Sequence, residues 1–257
     1  MNLACTVIPT YERHFNYTLS ALKSYNKTVN GDLYLIFSNN SEYELFKSKT
    51  TEKFNHLILE KPFTTYENII NAKKIYAVHQ LANKYKYIGV IDTEVDFIKK
   101  YDEFIEYKNI FESKQFKSNI SIQGNEILSP ILDIMDFDDY NNSIILKETD
   151  DLKQYWWFNE FFVYESKTFY EFFDWLKSHK NFISMMTEVH CFEYFIYSIW
   201  LIVFKGFKLK KICQTESFKF GAIEECTDIQ VINKFKSIIS KTAESDYTKV
   251  IVQKDRK

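Results

Sequence analysis

The stretch YIGVIDTEVD, residues 87–96, joins an apolar run to a cluster of acidic residues. Its first half, 87–91, has the β-branched and aromatic side chains that are typical of a buried strand. Carboxylates follow at once, at Asp92, Glu94 and Asp96. Like charges at the end of a core strand are costly unless a positive charge lies beside them. A hard divalent cation, Mn2+ or Mg2+, would supply that charge, and we expect Asp92 and Glu94 to be its ligands. A solvated acidic loop is the alternative.

Upstream of this stretch, short apolar runs alternate with helical patterns. Strands are predicted at 3–8, 32–37 and 56–59, and helices at 11–25, 41–47 and 66–85. This alternation predicts an α/β fold, with a mostly parallel central sheet flanked by helices, as one domain over 1–257. Ligands of such sheets bind beyond the carboxyl ends of the strands. The residues after Ile8, Phe37 and Ile91 are therefore the first candidates for a site. Thr10 and the pair Ser41 and Glu44 are expected to cap helices.

The second half of the chain is less regular. Strands are predicted at 119–123, 158–164 and 207–212, and helices at 101–113, 169–177, 187–204 and 231–242. The acidic residues Asp136, Asp138 and Asp139 are expected to form a solvated loop.

Composition excludes several classes of protein. The chain has 257 residues but only 5 glycines, and their wide spacing excludes a Walker loop, a dinucleotide fingerprint and a nucleophile elbow. A net charge of −2, with arginine only at Arg13 and Arg256, argues against a nucleic-acid partner. The 4 cysteines form no CxxC pair, so we expect reduced thiols and a cytoplasmic protein (host cytoplasm if it is viral). The longest apolar run, 194–204, is too short to span a bilayer.

The chain resembles a metal-dependent glycosyltransferase of the GT-A fold. Residues 7–11, VIPTY, are similar to the strand and P-x-Y-like turn that open such enzymes, and Asp92-Thr93-Glu94 is similar to their D-x-D motif. The likeness covers about residues 3–100 and extends loosely to about 212; it is greatest to small polysaccharide-building transferases of bacteria and large DNA viruses. It implies a nucleotide-sugar-binding half over 1–100 and an acceptor-binding half over 101–257. The motif departs from the family by ending in Glu94, and Glu94-Val95-Asp96 is the alternative alignment.

The resemblance implies a nucleoside-diphosphate sugar donor, Mn2+ or Mg2+, and a glycan or glycoconjugate acceptor. The residues it nominates for binding the donor are Pro9, Thr10, Tyr11, Arg13, Ser38, Asn71, Lys74, Asp92 and Thr93. Tyr11 is a candidate to stack on the base, with core packing as its alternative. Asn39 is a further candidate beside Ser38. The alternative for Lys73 and Lys74 is a solvated helix face.

Transfer by direct displacement needs a carboxylate that takes the acceptor's proton. Family members that invert the anomeric centre draw it from near a helix start in the second half, where this chain has Glu188 and Glu193. The run FEYFIY, 192–197, resembles an S-E-Y-x-x-Y pattern with Phe192 as its departure, so we favour Glu193. A structural acid at a helix N-terminus is the alternative.

The adjacent Trp156 and Trp157 suit an acceptor site, because sugar faces pack on aromatic rings; core packing competes. Two other functions stay open. One is a metal-dependent nuclease that uses Asp92, Glu94 and Lys99, and the other is a non-catalytic sugar- or nucleotide-binding scaffold.

Overall fold

A computed structural model describes residues 2–93, 95–97, 100, 102–120, 124–156, 162–188, 192–211 and 249–251. In chain order the strands are β1 Asn2–Pro9, β2 Leu33–Phe37, β3 Asn55–Ile58, β4 Tyr85–Val90, β5 Val95–Phe97, β6 Gln115–Ile120, β7 Gln154–Tyr155, β8 Phe162–Glu165, β9 Lys208–Lys211 and β10 Lys249–Ile251. The helices are α1 Phe15–Thr28, α2 Asn40–Lys47, α3 Ile69–Leu81, α4 Glu103–Glu112, α5 Gly124–Met135, α6 Asp139–Glu148, α7 Ser166–Ser178, α8 Phe182–Thr187 and α9 Glu193–Lys205. Short 3-10 turns occupy Glu12–His14 and Phe63–Thr65.

The central sheet has the strand order β3-β2-β1-β4-β8. Strands β1 to β4 run parallel, and β8 pairs antiparallel with β4. Val7 lies beside Val90, and Pro9 lies beside Ile36, so β1, β2 and β4 end at one edge. The predicted α/β fold with a mostly parallel sheet is confirmed. Smaller ladders pair β5 with β10 and β6 with β7 and β9.

Helices cover both faces of the sheet. One face packs against α3, α7 and α9, in a core that includes Ile75, Ile88 and Ile199. The other face packs against α1, α2 and α4, in a core that includes Leu22, Phe46 and Tyr107. Removing each of these large side chains from water contributes about 1.5–3 kcal/mol to folding. No helix among the described residues has the length and apolar character needed to cross a membrane.

On the face covered by α4, the Glu103 carboxylate is buried beneath β1. It accepts hydrogen bonds from the Thr6 hydroxyl and from the Tyr25 hydroxyl, the latter at 2.7 Å. Burial raises the pKa of Glu103 to about 7, although the hydrogen bonds from Thr6, Tyr25 and Tyr107 act to lower it.

The structure corrects several expectations about helices. The helix predicted over 187–204 begins only at Glu193, as α9, and a separate helix that was not predicted, α8, ends at Thr187. Asn39 caps α2, its side chain accepting from the Glu42 amide, so Ser41 is not the cap. The Thr10 hydroxyl caps no helix and lies 2.7 Å from the Thr18 hydroxyl.

The acidic stretch expected to be a loop instead leads into α6. The Asp138 side chain caps that helix by accepting from the Asn141 amide at 2.8 Å, and Asp136 pairs with Lys180. The strand predicted at 119–123 begins earlier, as β6. The helix predicted at 231–242 lies outside the described residues.

Candidate active site

A group of polar side chains lies at the edge where β1, β2 and β4 end. Thr10 directly follows β1, and Asp92 and Thr93 follow β4. The Thr10 amide donates to the Ile36 carbonyl and the Ile91 amide to that of Val7, so both strands remain paired up to the site. The sheet therefore fixes the backbone on which these side chains stand.

Lys74 lies at the centre of this group. It extends from α3, and its ammonium nitrogen is 2.9 Å from Asp92 Oδ1 and 3.3 Å from Glu193 Oε1. Lys74 and Glu193 are buried, whereas the Asp92 side chain is 31% exposed. One ammonium thus bridges a carboxylate from the segment after β4 and one from α9, and the Asp92 end of the group is the end that meets solvent.

The electrostatics of this trio are those of a tightly coupled buried ion cluster. Burial by itself lowers the pKa of Lys74, but the carboxylates of Asp92 and Glu193 outweigh it and hold that pKa above its ordinary value. Burial raises the pKa of Glu193, and Lys74 offsets only part of that rise. Neither Glu193 oxygen has an aligned hydrogen bond, so its contact with Lys74 is a charge interaction. With two acids and one base, the trio carries a formal charge of about −1 when both acids are ionised.

Two asparagines of α3 connect the site to the second half of the chain. The buried Asn71 side chain accepts from the Glu193 amide at 3.2 Å, although no side chain from the N-cap residue of α9 caps that helix. Asn68 caps α3 by accepting from the Asn71 amide, and it donates to the Glu188 carbonyl at 2.9 Å. Asn71 therefore supplies an acceptor that the start of α9 needs, and fixes the position of Glu193.

Lys73 is also buried, but it points to different partners. Its ammonium donates to the Thr10 carbonyl and pairs with Glu42 at 3.3 Å. The same Glu42 carboxylate accepts from the Ser38 amide at 2.6 Å. Burial lowers the pKa of Lys73, and Glu42 offsets part of that. The solvated-face alternative is wrong for both Lys73 and Lys74.

His14 joins the ends of β1 and β4, a role that the sequence did not suggest. Its Nε2 lies 3.0 Å from the Tyr11 hydroxyl, and its Nδ1 lies 3.0 Å from the Thr93 hydroxyl. The Tyr11 and His14 rings are 4.0 Å apart, and the Arg13 guanidinium lies 5.0 Å from the Tyr11 ring centre. The sequence could have indicated His14 by its position in the turn directly after β1, because ligands of such sheets bind at the ends of the strands.

Other predicted residues lie outside this cluster or are used differently. Trp156 is buried, and its indole donates to the Ser198 hydroxyl at 3.0 Å. Trp156 therefore packs in the core, as the alternative had it, and does not present its ring to an acceptor as expected. The Glu188 side chain is exposed, and its carbonyl accepts a hydrogen bond from Asn68, the residue that caps α3.

Around the donor positions, the Ser38 amide bonds to Glu42, and the Asn39 side chain is occupied in capping α2. Pro9 ends β1 and has no side-chain donor to offer. Glu94 and Trp157 lie outside the described residues.

Comparison with known proteins finds no matching family model and no matching curated protein. Solved structures do match. Core-mannan synthase A from Aspergillus fumigatus, in a Mn/GDP form, is 11% identical with a TM-score of 0.41, over 82% of this chain and 73% of that one. The mannosyltransferase Ktr4p from S. cerevisiae is 11% identical with a TM-score of 0.40, over 76% of this chain and 62% of that one.

Proposed function

We propose that the chain transfers a sugar from a nucleoside-diphosphate sugar to a hydroxyl group of a glycan acceptor. The observation that carries this proposal is buried Lys74, held between Asp92 and Glu193 at the carboxyl end of β4. In parallel sheets that edge is where ligands bind. A cation for the departing diphosphate and a carboxylate for the acceptor's proton are the two groups that such a transfer requires.

A divalent cation, Mn2+ or Mg2+, fits the chemistry of Asp92. Its carboxylate is partly exposed, and hard cations of this kind are commonly held by one or two carboxylates together with substrate phosphates. The part of the chain that the structure describes contains no group of three ligating side chains, and Glu94 lies outside that part. We propose Asp92 as one ligand and Glu94 as the second. When bound, the cation would stabilise the charge of the leaving diphosphate.

We propose Glu193, rather than Glu188, as the base. Glu193 belongs to the cluster and its pKa is raised, which favours proton acceptance near neutral pH. The acceptor's O–H proton passes to Glu193, and the oxygen forms a bond to the anomeric carbon as the bond from that carbon to the diphosphate oxygen breaks. The nucleoside diphosphate leaves, and the anomeric configuration inverts.

The donor's nucleoside is proposed to lie over the end of β1. Tyr11, which is half-buried, is the residue proposed to stack on the base, and the exposed Arg13 lies beside it. Thr10 and Thr93 line the same edge. Lys73 would act indirectly, because it holds the Thr10 carbonyl.

The test is a melting-temperature screen of UDP, GDP, ADP, CDP and dTDP with Mn2+, followed by nucleotide release from the matching sugar donors. We expect Asp92→Ala to keep its fold and lose the Mn2+-dependent shift and turnover. Glu193→Gln should keep the shift and lose at least a hundredfold in transfer, the size of a general-base contribution. Glu188→Gln is the matched control and should transfer normally.

Other outcomes would favour other functions. A melting shift without turnover on any donor would support a binding scaffold, and cleavage of nucleic acid would support a nuclease. Full transfer by Asp92→Ala would refute the role of Asp92, and loss of transfer by Glu188→Gln alone would move the base to Glu188. The anomeric configuration of the product, read by NMR, tests inversion.

A further inference from the structure

The ammonium of Lys74 lies against the same carboxylate that we propose for the cation. From this contact we infer that Lys74 is a built-in counter-ion, which keeps divalent cations weakly bound at Asp92 until a nucleoside diphosphate arrives. The inference rests on the proposed function, because it takes Asp92 as the cation's ligand. It adds an order to the site: cation and nucleotide bind cooperatively.

The distances make Lys74 a competitor for the cation. Asp92 Oδ1 is 2.9 Å from the Lys74 ammonium, which is the length of a charge-assisted hydrogen bond. A divalent ion on this carboxylate would lie a few ångströms from a fixed positive charge. Like charges at that separation repel strongly in a partly desolvated site. The free protein should therefore bind Mn2+ alone poorly.

A diphosphate reverses this balance. It brings negative oxygens that can accept from Lys74 and ligate the cation at the same time, so the ammonium gains a second set of partners. Lysine suits this exchange, since it is a compact charge on a flexible stem and is not held by the two-pronged geometry of arginine. If nucleotide raises the affinity for the cation, the cation must raise the affinity for nucleotide by the same factor.

A purely structural ion pair is the competing explanation. In that case Lys74 only neutralises two acids, and its removal would lower stability without tightening cation binding. Lys73 provides the matched comparison on the same helix. It too is a buried ammonium, but its partners are the Thr10 carbonyl and Glu42, and neither is a proposed ligand. The exposed Lys84 controls for general loss of a positive charge.

The experiment titrates the full chain with Mn2+ alone and counts free Mn2+ by electron paramagnetic resonance. We expect Lys74→Met to bind Mn2+ at least tenfold more tightly than the natural chain. Lys84→Met should match the natural chain, and Lys73→Met, which leaves the contact between Lys74 and Asp92 in place, should not tighten Mn2+ binding. The double variant Lys74→Met with Asp92→Asn should lose the added affinity, which would locate the ion at Asp92. Lys74→Gln is a second variant with the same expected result, to be used if circular dichroism shows that the Met variant is not folded.

A second arm repeats the titration with UDP or GDP. Nucleotide should raise the Mn2+ affinity of the natural chain by at least tenfold, and that of Lys74→Met by much less. Unchanged or weaker Mn2+ binding by folded Lys74→Met and Lys74→Gln would overturn the inference. If nucleotide and Mn2+ still bind together to the natural chain, the proposed function survives that result. If Asp92→Asn has no effect on Mn2+ binding with either nucleotide, the proposed function fails with it.

Discussion

Replacing Gly89 with alanine should destabilise the fold, because a ring occupies the space where a side chain would stand. Gly89 is the last residue but one of β4. A methyl group there would lie 2.5 Å from the Tyr107 hydroxyl oxygen and 2.6 Å from its Cε2, with Cζ closer still. Tyr107 is fully buried, and its hydroxyl is 2.5 Å from that of Thr6, so moving the ring would disturb packed neighbours and this hydrogen bond.

The expected cost follows from these contacts. Overfilling a packed core costs about 1–3 kcal/mol. Displacing the Tyr107 ring also weakens its hydrogen bond with Thr6, for about 1 kcal/mol more. Alanine regains about 0.5–1 kcal/mol over glycine within a strand, since it loses less backbone entropy on folding. The free energy of unfolding should therefore fall by about 1–3.5 kcal/mol.

Urea unfolding followed by circular dichroism measures this change, and a double-mutant cycle identifies its cause. In a Tyr107→Leu background the collision is gone, so Gly89→Ala should cost almost nothing, and the coupling energy should be about 2 kcal/mol. Gly206→Ala is the control. Gly206 has φ +69° and no atom within contact range of an added methyl, so its cost should be the same in both backgrounds. A Gly89→Ala protein of natural stability, or one whose cost does not depend on Tyr107, would refute the reasoning.

Three further substitutions test the interior. The pKa of Glu103, about 7, lies above its value of 4.5 in the unfolded chain, so the folded state holds a proton between these two pH values. The free energy of unfolding should therefore fall by about 3 kcal/mol as the pH rises from 4.5 to 7. Glu103→Gln should lack this pH dependence in melts across the same range. Tyr164→Phe should raise the free energy of unfolding by about 1 kcal/mol, because the tyrosine hydroxyl is buried without a hydrogen-bond partner. A clear loss of stability in urea melts would show instead that this hydroxyl has a partner. Trp156→Phe should lower the free energy of unfolding by about 2 kcal/mol, because the core loses side-chain volume and the hydrogen bond to Ser198. The rate of sugar transfer should stay unchanged. A slower rate at equal stability would support the acceptor role of Trp156.

Local patterns predicted the sheet well where apolar runs were short and bounded. Strand β2 begins one residue later than predicted, and β4 ends one residue earlier. Local patterns failed at the start of α9. The prediction placed that start at residue 187, six residues before Glu193, and α8, which ends at Thr187, was not predicted. Helices α5 and α6 were missed because acids and Pro130 interrupt their patterns, although Asp138 in fact begins α6 as its cap.

The candidate site was predicted one residue at a time, but its assembly was not. Asp92 and Glu193 were each recognised from their neighbours in sequence, while the ion that joins them comes from a third segment. No local pattern encodes contacts between residues so far apart in the chain, because they depend on how α3 and α9 pack on the sheet.

Helix α3 nonetheless carried a signal about Lys74 that could have been used. Apolar residues surround the two lysines in the sequence, since Ala72, Ile75, Ala77 and Val78 fall on every side of a helix, and the structure buries all four. Such a helix has no solvated face to offer a charge. A lysine on a helix of this kind must have a buried partner, since an unpaired ammonium in the interior is too costly. Two adjacent lysines project in different directions around the axis and so need two separate partners. That reasoning predicts one carboxylate for each, as Glu42 and Asp92 provide, and it identifies the segment before the structure is seen.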